Sequence, residues 1–457
     1  METKLEQLNN RGVKTALARL SFPAMVGIFI QMLYGLVDSV FVGRGLGEDG
    51  IIGLSALTIA FPLSYLILSV ASGISVGGSS YISRSMGALE KVRVEKGIGN
   101  MIILAFAAGV FFTIFGLLFL DPILKVFGAT PVILPFARDY MFWIILGCTF
   151  QILTMTVNAV VMAEGNAIFS MKMYTASSIL NVILDYIFIF HFGWGIQGAA
   201  IATSLCQVFN VMILIYYLYG VSKLKFRLKW IVFDMKTSLD IIKVGVSEFV
   251  RESSLVFMFI IVNYNLKIHG DTSSFAIFGI INRIFGFVII PVIGIVQGMI
   301  PLTGFNYGAK KFQNVRDILK ISVKWSILLS FIIGAFTYIF TAPLLSLFIT
   351  DLAVVEEGVI AYWIADISIP IVAFQIIGSA FTQALGKARV SFILTISRQV
   401  FILPTLFIIP HFMGLIGVWV AFPVVDLLAG ILTLWFVLRQ LKLLKKEETI
   451  SKTAATT

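Results

Sequence analysis

Twelve times along the chain an apolar run of about 20 residues returns, each long enough to cross the hydrocarbon of a bilayer as a helix. The runs centre near residues 30, 64, 109, 143, 178 and 207, and then near 251, 287, 331, 367, 399 and 426. Continuous runs of this length satisfy their backbone internally as helices, whereas a transmembrane barrel would show short alternating segments. Only 13% of the 457 residues are charged, against about 25% in a soluble domain. The expected fold is an all-α membrane protein with twelve transmembrane helices.

Basic residues set the expected orientation. They crowd the N-terminus (Lys4, Arg11, Lys14, Arg19), the loop after span two (Arg84, Lys91, Arg93, Lys96) and the stretch after span six (Lys223, Lys225, Arg227, Lys229, Lys236). They return after span eight (Lys310, Lys311, Arg316), after span ten (Lys387, Arg389) and in the tail (Arg439, Lys442, Lys445, Lys446). The alternate loops are poor in them, so the positive-inside rule puts both termini in the cytoplasm of a multi-pass cell-membrane protein. The net charge of +10 is explained by this topology and not by nucleic acid. Residues 1–19 carry no apolar core ending in a small-residue cleavage site, so no cleaved signal peptide is expected.

The two halves of the chain repeat each other. Ser85-Met86-Gly87-Ala88-Leu89-Glu90-Lys91 matches Asn306-Tyr307-Gly308-Ala309-Lys310-Lys311, and Ala163-Glu164-Gly165-Asn166-Ala167 matches Ala384-Leu385-Gly386-Lys387-Ala388. Gly87 to Gly308 and Gly165 to Gly386 give one offset, 221 residues. Six spans per repeat bring both repeats in from the same side, so the expected design is two pseudo-symmetric six-helix lobes about an axis along the membrane normal. The lobes are read as 1–219 and 240–440, joined by a cytoplasmic linker at 220–239 and followed by a cytoplasmic tail at 441–457.

Within the fifth run, Leu180 to Phe190, an amide and a carboxylate stand four residues apart. That spacing puts Asn181 and Asp185 on one helical face, and a carboxylate at this depth costs about 2.5–3.5 kcal/mol unless it faces a polar interior. Gln31, Tyr34 and Asp38 make a similar stripe on span one. Counting 1.5 Å per residue from the expected entry points brings Asp38, Asp185 and Thr203 of span six to compatible heights in the outer half. Asn158 of span four and Gln207 of span six are candidates for the same cavity. Two carboxylates in such a pocket penalise each other's charge, and the pair can take up a proton or share a monovalent cation. At the repeat offset Asn181 becomes Ile402 and Asp185 becomes Leu406, and with a two-residue gap Thr203 becomes Phe422, so the polar face belongs to the first lobe alone.

The second lobe has its own charges: Glu248, Arg251 and Glu252, Arg283, Asp366, Arg398 and Asp426. Mutual pairing is expected for most of them, with Glu252 and Asp366 kept as secondary site candidates. Cys148 and Cys206 lie in apolar runs without metal or redox spacing and read as packing residues. The chain has no Gly-x-x-x-x-Gly-Lys-Ser/Thr loop for ATP and no nucleophile–base or metal constellation, so an enzyme is not expected. Pro23, early in span one, is either a helix-start proline or a hinge.

The Gly-Phe-Asn-Tyr-Gly-Ala segment at 304–309, the series Pro23, Gln31, Tyr34, Asp38, the Asn181/Asp185 pair and Thr203 together resemble the multidrug and toxic compound extrusion (MATE) family over essentially the whole chain. The resemblance is to the prokaryotic DinF-like branch, although Phe305 stands where many relatives have Gln. It implies that Asp38, Asn181, Asp185 and Thr203 couple transport to H⁺ or Na⁺, with Thr203, the amide and the carboxylates as ligands if the ion is Na⁺. It also implies that Gln31, Tyr34 and Asn158 line a drug cavity and that span one bends near Pro23. NorM-like members keep an acidic residue just before the Gln-x-x-Gly pattern of span ten. Here Val372 precedes Gln375-Ile376-Ile377-Gly378, so the resemblance carries no second-lobe cation site of that kind.

The function expected is a monomeric, cation-coupled antiporter without a bound cofactor, embedded among membrane lipids and exporting lipophilic or cationic small molecules. The alternatives are a flippase for lipids or lipid-linked oligosaccharides, which would want a cationic cavity, and a channel or receptor, which would not accumulate substrate uphill.

Overall fold

The computed structural model describes residues 4–224, 226–270, 272–348 and 351–456; Lys225 of the basic linker lies outside them. The described residues are overwhelmingly helical. The first half supplies spans Val13–Gly45, Gly50–Gly87, Lys91–Leu118, Leu134–Ala163, Ala167–Asp185 and Gly195–Tyr216. The fifth and sixth continue as short π-helical turns, Tyr186–His191 and Tyr217–Val221. The second half supplies Met235–His269, Thr272–Gly308 and Phe312–Ile339, then Leu352–Ala365 with Ile369–Ala384, and finally Ala388–Thr456.

Two of the expected spans take unexpected shapes. The tenth is a pair of helices bent by 44°, and the expected centre at 367 falls in that bend. Pro370 sits in the first turn of the second helix of the pair, where its missing N–H costs nothing, but it could not continue the first helix. The eleventh and twelfth spans run on without an intervening loop and are separated by a kink at Gly414, whose φ of 59° and ψ of −139° are non-helical. Met235–His269 is the least apolar of the long helices; counting it as a crossing, the kinked helix as two and the bent pair as one, the described residues give twelve spans.

The repeat is visible in the backbone. Lys91–Leu118 and Phe312–Ile339 start and stop at the same offset of 221, as do the end of the fourth span at Ala163 and of its counterpart at Ala384. A short helix follows each third span, starting at Leu120 in one half and at Thr341 in the other. Among the described residues the non-glycine positions with positive φ are Leu89 (59°) and Lys310 (55°), again 221 apart. Such a conformation is costly for a side-chain-bearing residue, so its recurrence marks one turn used twice.

Three apolar cores divide the molecule. One, at the end away from both termini, is built from the first half alone and includes Val42, Ala56, Phe112, Ile145 and Ile196. Its counterpart at the same end comes from the second half alone, with Val262, Ile281, Tyr362, Leu406 and Trp419. The third lies at the end that carries the termini and mixes both halves: Leu17, Tyr81 and Val160 share it with Met299, Phe381 and Leu444. The halves are therefore fused at the terminal end and have separate interiors at the far end. The first span packs against the eighth, where Phe29 and Phe287 meet edge to face at 6.4 Å.

Candidate functional site

Three helices of the first half build a polar cavity. The first span packs on the fifth, and the fifth on the sixth. Each contributes residues at helical spacing, which keeps them on one face. From the first span come Gln31 and Tyr34; from the sixth come Thr203, Cys206, Gln207 and Asn210. The fifth contributes Tyr174, Ser177, Ser178 and Asn181. The cavity is narrow, with a free volume of about 10 Å³, and among the described residues no Lys or Arg lines it.

Asp185 continues the face of the fifth span one turn beyond Asn181. It is completely buried and Asn181 is 2% exposed. Neither oxygen of Asp185 has a hydrogen-bond partner, nor does the amide oxygen or nitrogen of Asn181. Asp38 is half-buried with one orphaned oxygen, and its charge acts directly on Asp185. Tyr34 and Tyr140, the latter from the fourth span, lie within electrostatic reach of both carboxylates. Buried polar atoms are nearly always satisfied, so a cluster of unsatisfied oxygens is a place built for something else to bind. Carboxylate and amide oxygens are hard donors suited to a proton or an alkali cation.

The first span is helical straight through Pro23, which has no N–H to return to the carbonyl of Arg19. Asn158 is buried in the fourth span with its amide oxygen orphaned, but it is not on the cavity wall. Of the site residues expected from the sequence, the structure thus brings Gln31, Tyr34, Asn181, Thr203 and Gln207 to one cavity, with Asp185 one helical turn beyond Asn181 and Asp38 within electrostatic reach of it. Asn158 is not among the lining residues.

Cys206 does not conform to the packing role expected for it: it faces the cavity beside Ser177 and Asn181. Cys148 does pack, with its thiol 3.6 Å from the carbonyl of Gly109. Tyr174, Ser177, Ser178 and Asn210 were also missed. Their signal was periodicity, since residues 174, 177, 178, 181 and 185 recur at the helical period down one face.

In the second half the equivalent positions are filled by hydrocarbon. Ile402 and Leu406 belong to its apolar core, and Phe422 packs against that core. Its charges pair. Arg251 donates to Glu248 at 2.6 Å and to Glu252 at 2.5 Å, and Arg398 donates to Asp426 at 2.7 Å. Arg283 instead lies over the ring of Phe348. Asp366 is buried near Tyr362 with one oxygen unpaired.

The sequence profile of the MatE family matches residues 23–187 and 249–408, once in each half. The chain belongs to the MatE family. The Multidrug export protein MepA of Staphylococcus aureus (strain bovine RF122 / ET3-1) is 28% identical over 409 residues, covering 88% of each chain. Among solved structures, MATE in the bent conformation superposes with a TM-score of 0.91 at 27% identity, over 98% of this chain and 100% of that one. An outward-facing multidrug resistance MATE family transporter of the MOP superfamily gives a TM-score of 0.90 at 27% identity, over 95% and 97%. A MatE protein is a transporter, so this chain is a carrier and not an enzyme. The twelve-helix, two-lobe architecture is that of the family.

Proposed function

We propose that this MatE protein is a multidrug exporter of the DinF-like branch that exchanges lipophilic or cationic compounds for H⁺ or Na⁺ by alternating access. The observation that carries the reading is the cluster of unsatisfied oxygens on Asp38, Asn181 and Asp185, of which Asn181 lines the first-lobe cavity. A proton or an alkali ion bound there satisfies those oxygens and neutralises the carboxylates. A cationic substrate seated among Gln31, Tyr34, Asn181, Thr203 and Gln207 draws on the same negative charge. The two ligands therefore compete, and linkage requires each to weaken the other by the same factor.

The lobes, 1–219 and 240–440, are the moving bodies of this scheme, joined by the linker at 220–239. With both termini in the cytoplasm, the fused core closes the inner end and the separate cores leave the outer end free to part. Such a shape admits the coupling ion and releases substrate outward. A cavity without Lys or Arg suits cations better than the pyrophosphate of a lipid-linked oligosaccharide.

The test uses proteoliposomes loaded with a fluorescent lipophilic cation under a sodium gradient or a pH gradient imposed separately. One gradient drives uphill transport in the wild type, and Asp38→Asn and Asp185→Asn each abolish it. Wild-type rates in both variants would sink the coupling role, and transport without any gradient would sink antiport.

A further inference from the structure

An open groove of about 570 Å³ runs along the start of the first span, outside the cavity described above. Lys14, Thr15, Arg19, Phe22 and Pro23 line it from the first span, and Ile168, the second residue of the fifth span, closes its side. The first-span residues recur at the helical period and so share one face. That face is graded: Lys14 and Thr15 come first, Arg19 next, and Phe22 and Pro23 follow, Phe22 about 12 Å beyond Lys14 and about 4.5 Å beyond Arg19 along the helix. Phe22 is 68% exposed and Ile168 52%, so the deeper part presents bare hydrocarbon. Neither Lys14 nor Arg19 has an ion-pair partner among the described residues.

We propose that this groove is a binding site for an anionic phospholipid, with the phosphate held by Lys14, Arg19 and Thr15 and an acyl chain laid on Phe22, Pro23 and Ile168. Basic side chains at the membrane surface attract anionic headgroups, and the grade from charge to hydrocarbon matches the molecule that lies at that surface. Free phosphate uses only the upper half of the groove. The lower half is what commits the site to a lipid. The occupant would sit beside Pro23 and the Arg19 carbonyl that lacks its helical donor, and so against the part of the first span least held by its own backbone.

The experiment takes the full-length protein in detergent and counts retained lipid by native mass spectrometry. Dioleoyl-phosphatidylglycerol, dioleoyl-phosphatidylcholine and inorganic phosphate are the probes, and thermal unfolding is followed in parallel. The wild type should retain and be stabilised by phosphatidylglycerol over phosphatidylcholine. Lys14→Gln and Arg19→Gln should each weaken that preference about fivefold. Phe22→Ser should weaken retention of both lipids. All these side chains are exposed, and an unchanged melting temperature in lipid-free detergent shows that each variant is folded. A Lys229→Gln/Lys236→Gln control should behave as wild type. Equal retention of the two lipids by the wild type, or full retention by the Lys14→Gln/Arg19→Gln double variant, overturns the site. Protection by inorganic phosphate equal to that by phosphatidylglycerol overturns the lipid.

Discussion

Gly87 and Gly308 occupy equivalent places across the two lobes, and each lies against the backbone of the other's helix. A Cβ on Gly87 would stand 1.9 Å from the carbonyl oxygen of Phe305, and one on Gly308 would stand 2.0 Å from that of Arg84. Phe305 and Arg84 are themselves one repeat offset apart, so the contact is its own mirror through the pseudo-twofold axis. It lies where the second and eighth spans end, beside the core that fuses the two lobes.

Neither glycine therefore tolerates a side chain while that end is closed. Gly87→Val and Gly308→Val should each lower stability by about 1–3 kcal/mol, as overpacking does. Thermal unfolding of the purified variants reads this out. Because the contact is reciprocal, the two drops should be alike. A neutral Gly87→Val beside a destabilised Gly308→Val would contradict the symmetry.

Asp185 gives a stability prediction independent of transport. A completely buried carboxylate with no hydrogen-bond partner carries a desolvation cost that its neighbours do not offset. Asp185→Asn removes the charge and keeps the shape. In buffer free of alkali ions it should raise the melting temperature, corresponding to about 1–3 kcal/mol, even as it abolishes driven transport. A lower melting temperature would make Asp185 a structural residue.

The architecture was legible because length and repetition are strong signals. Twelve apolar runs and one offset of 221 sufficed for the lobes, and the same offset recurs in helix boundaries and in the turn shared by Leu89 and Lys310. The bend at 366–368 and the loopless kink at Gly414 were not legible, because a break inside an apolar run leaves its hydropathy unchanged. At the site, Asp38, Asn181 and Asp185 stood out because charge and amide are expensive in hydrocarbon. Ser177, Ser178 and Cys206 sit on the same faces, but small or weakly polar residues on a membrane helix read as packing. Which of them face a cavity depends on which helices become neighbours. Asn158 shows the converse, being polar enough to be noticed yet absent from the lining.

Cys206 separates the cavity from the packing around it. It is 3% exposed and faces the polar cavity, whereas Cys148 is fully buried in the first-half core. Cys206→Phe should obstruct this narrow cavity, cutting transport by tenfold or more, roughly 1.4 kcal/mol or above, with a smaller loss of stability than the same change in a packed core. Cys148→Phe has no space to enter and should destabilise the protein by about 1–3 kcal/mol. Transport assays and melting curves on the two variants should therefore give opposite patterns. The same pattern in both would mean that the cavity wall is not where the structure puts it.

Arg398 and Asp426 provide the last prediction, from the lobe without the polar cavity. Asp426 is 2% exposed and is held by Arg398 at 2.7 Å and by the hydroxyl of Ser368 at 2.6 Å. Ser368 belongs to the bend of the tenth span, so this one carboxylate ties the bend to the two final spans. Removing the cation alone leaves a buried, under-compensated charge, and Arg398→Ala should cost about 3–5 kcal/mol. Replacing both partners by apolar residues of similar volume, Arg398→Met with Asp426→Leu, should recover most of that loss, since a buried ion pair contributes little net stability over hydrocarbon. Melting temperatures of the two variants in the same detergent decide it. If the double replacement is as unstable as Arg398→Ala, the pair contributes more than mutual neutralisation, and the anchoring of the bend through Ser368 becomes its main role.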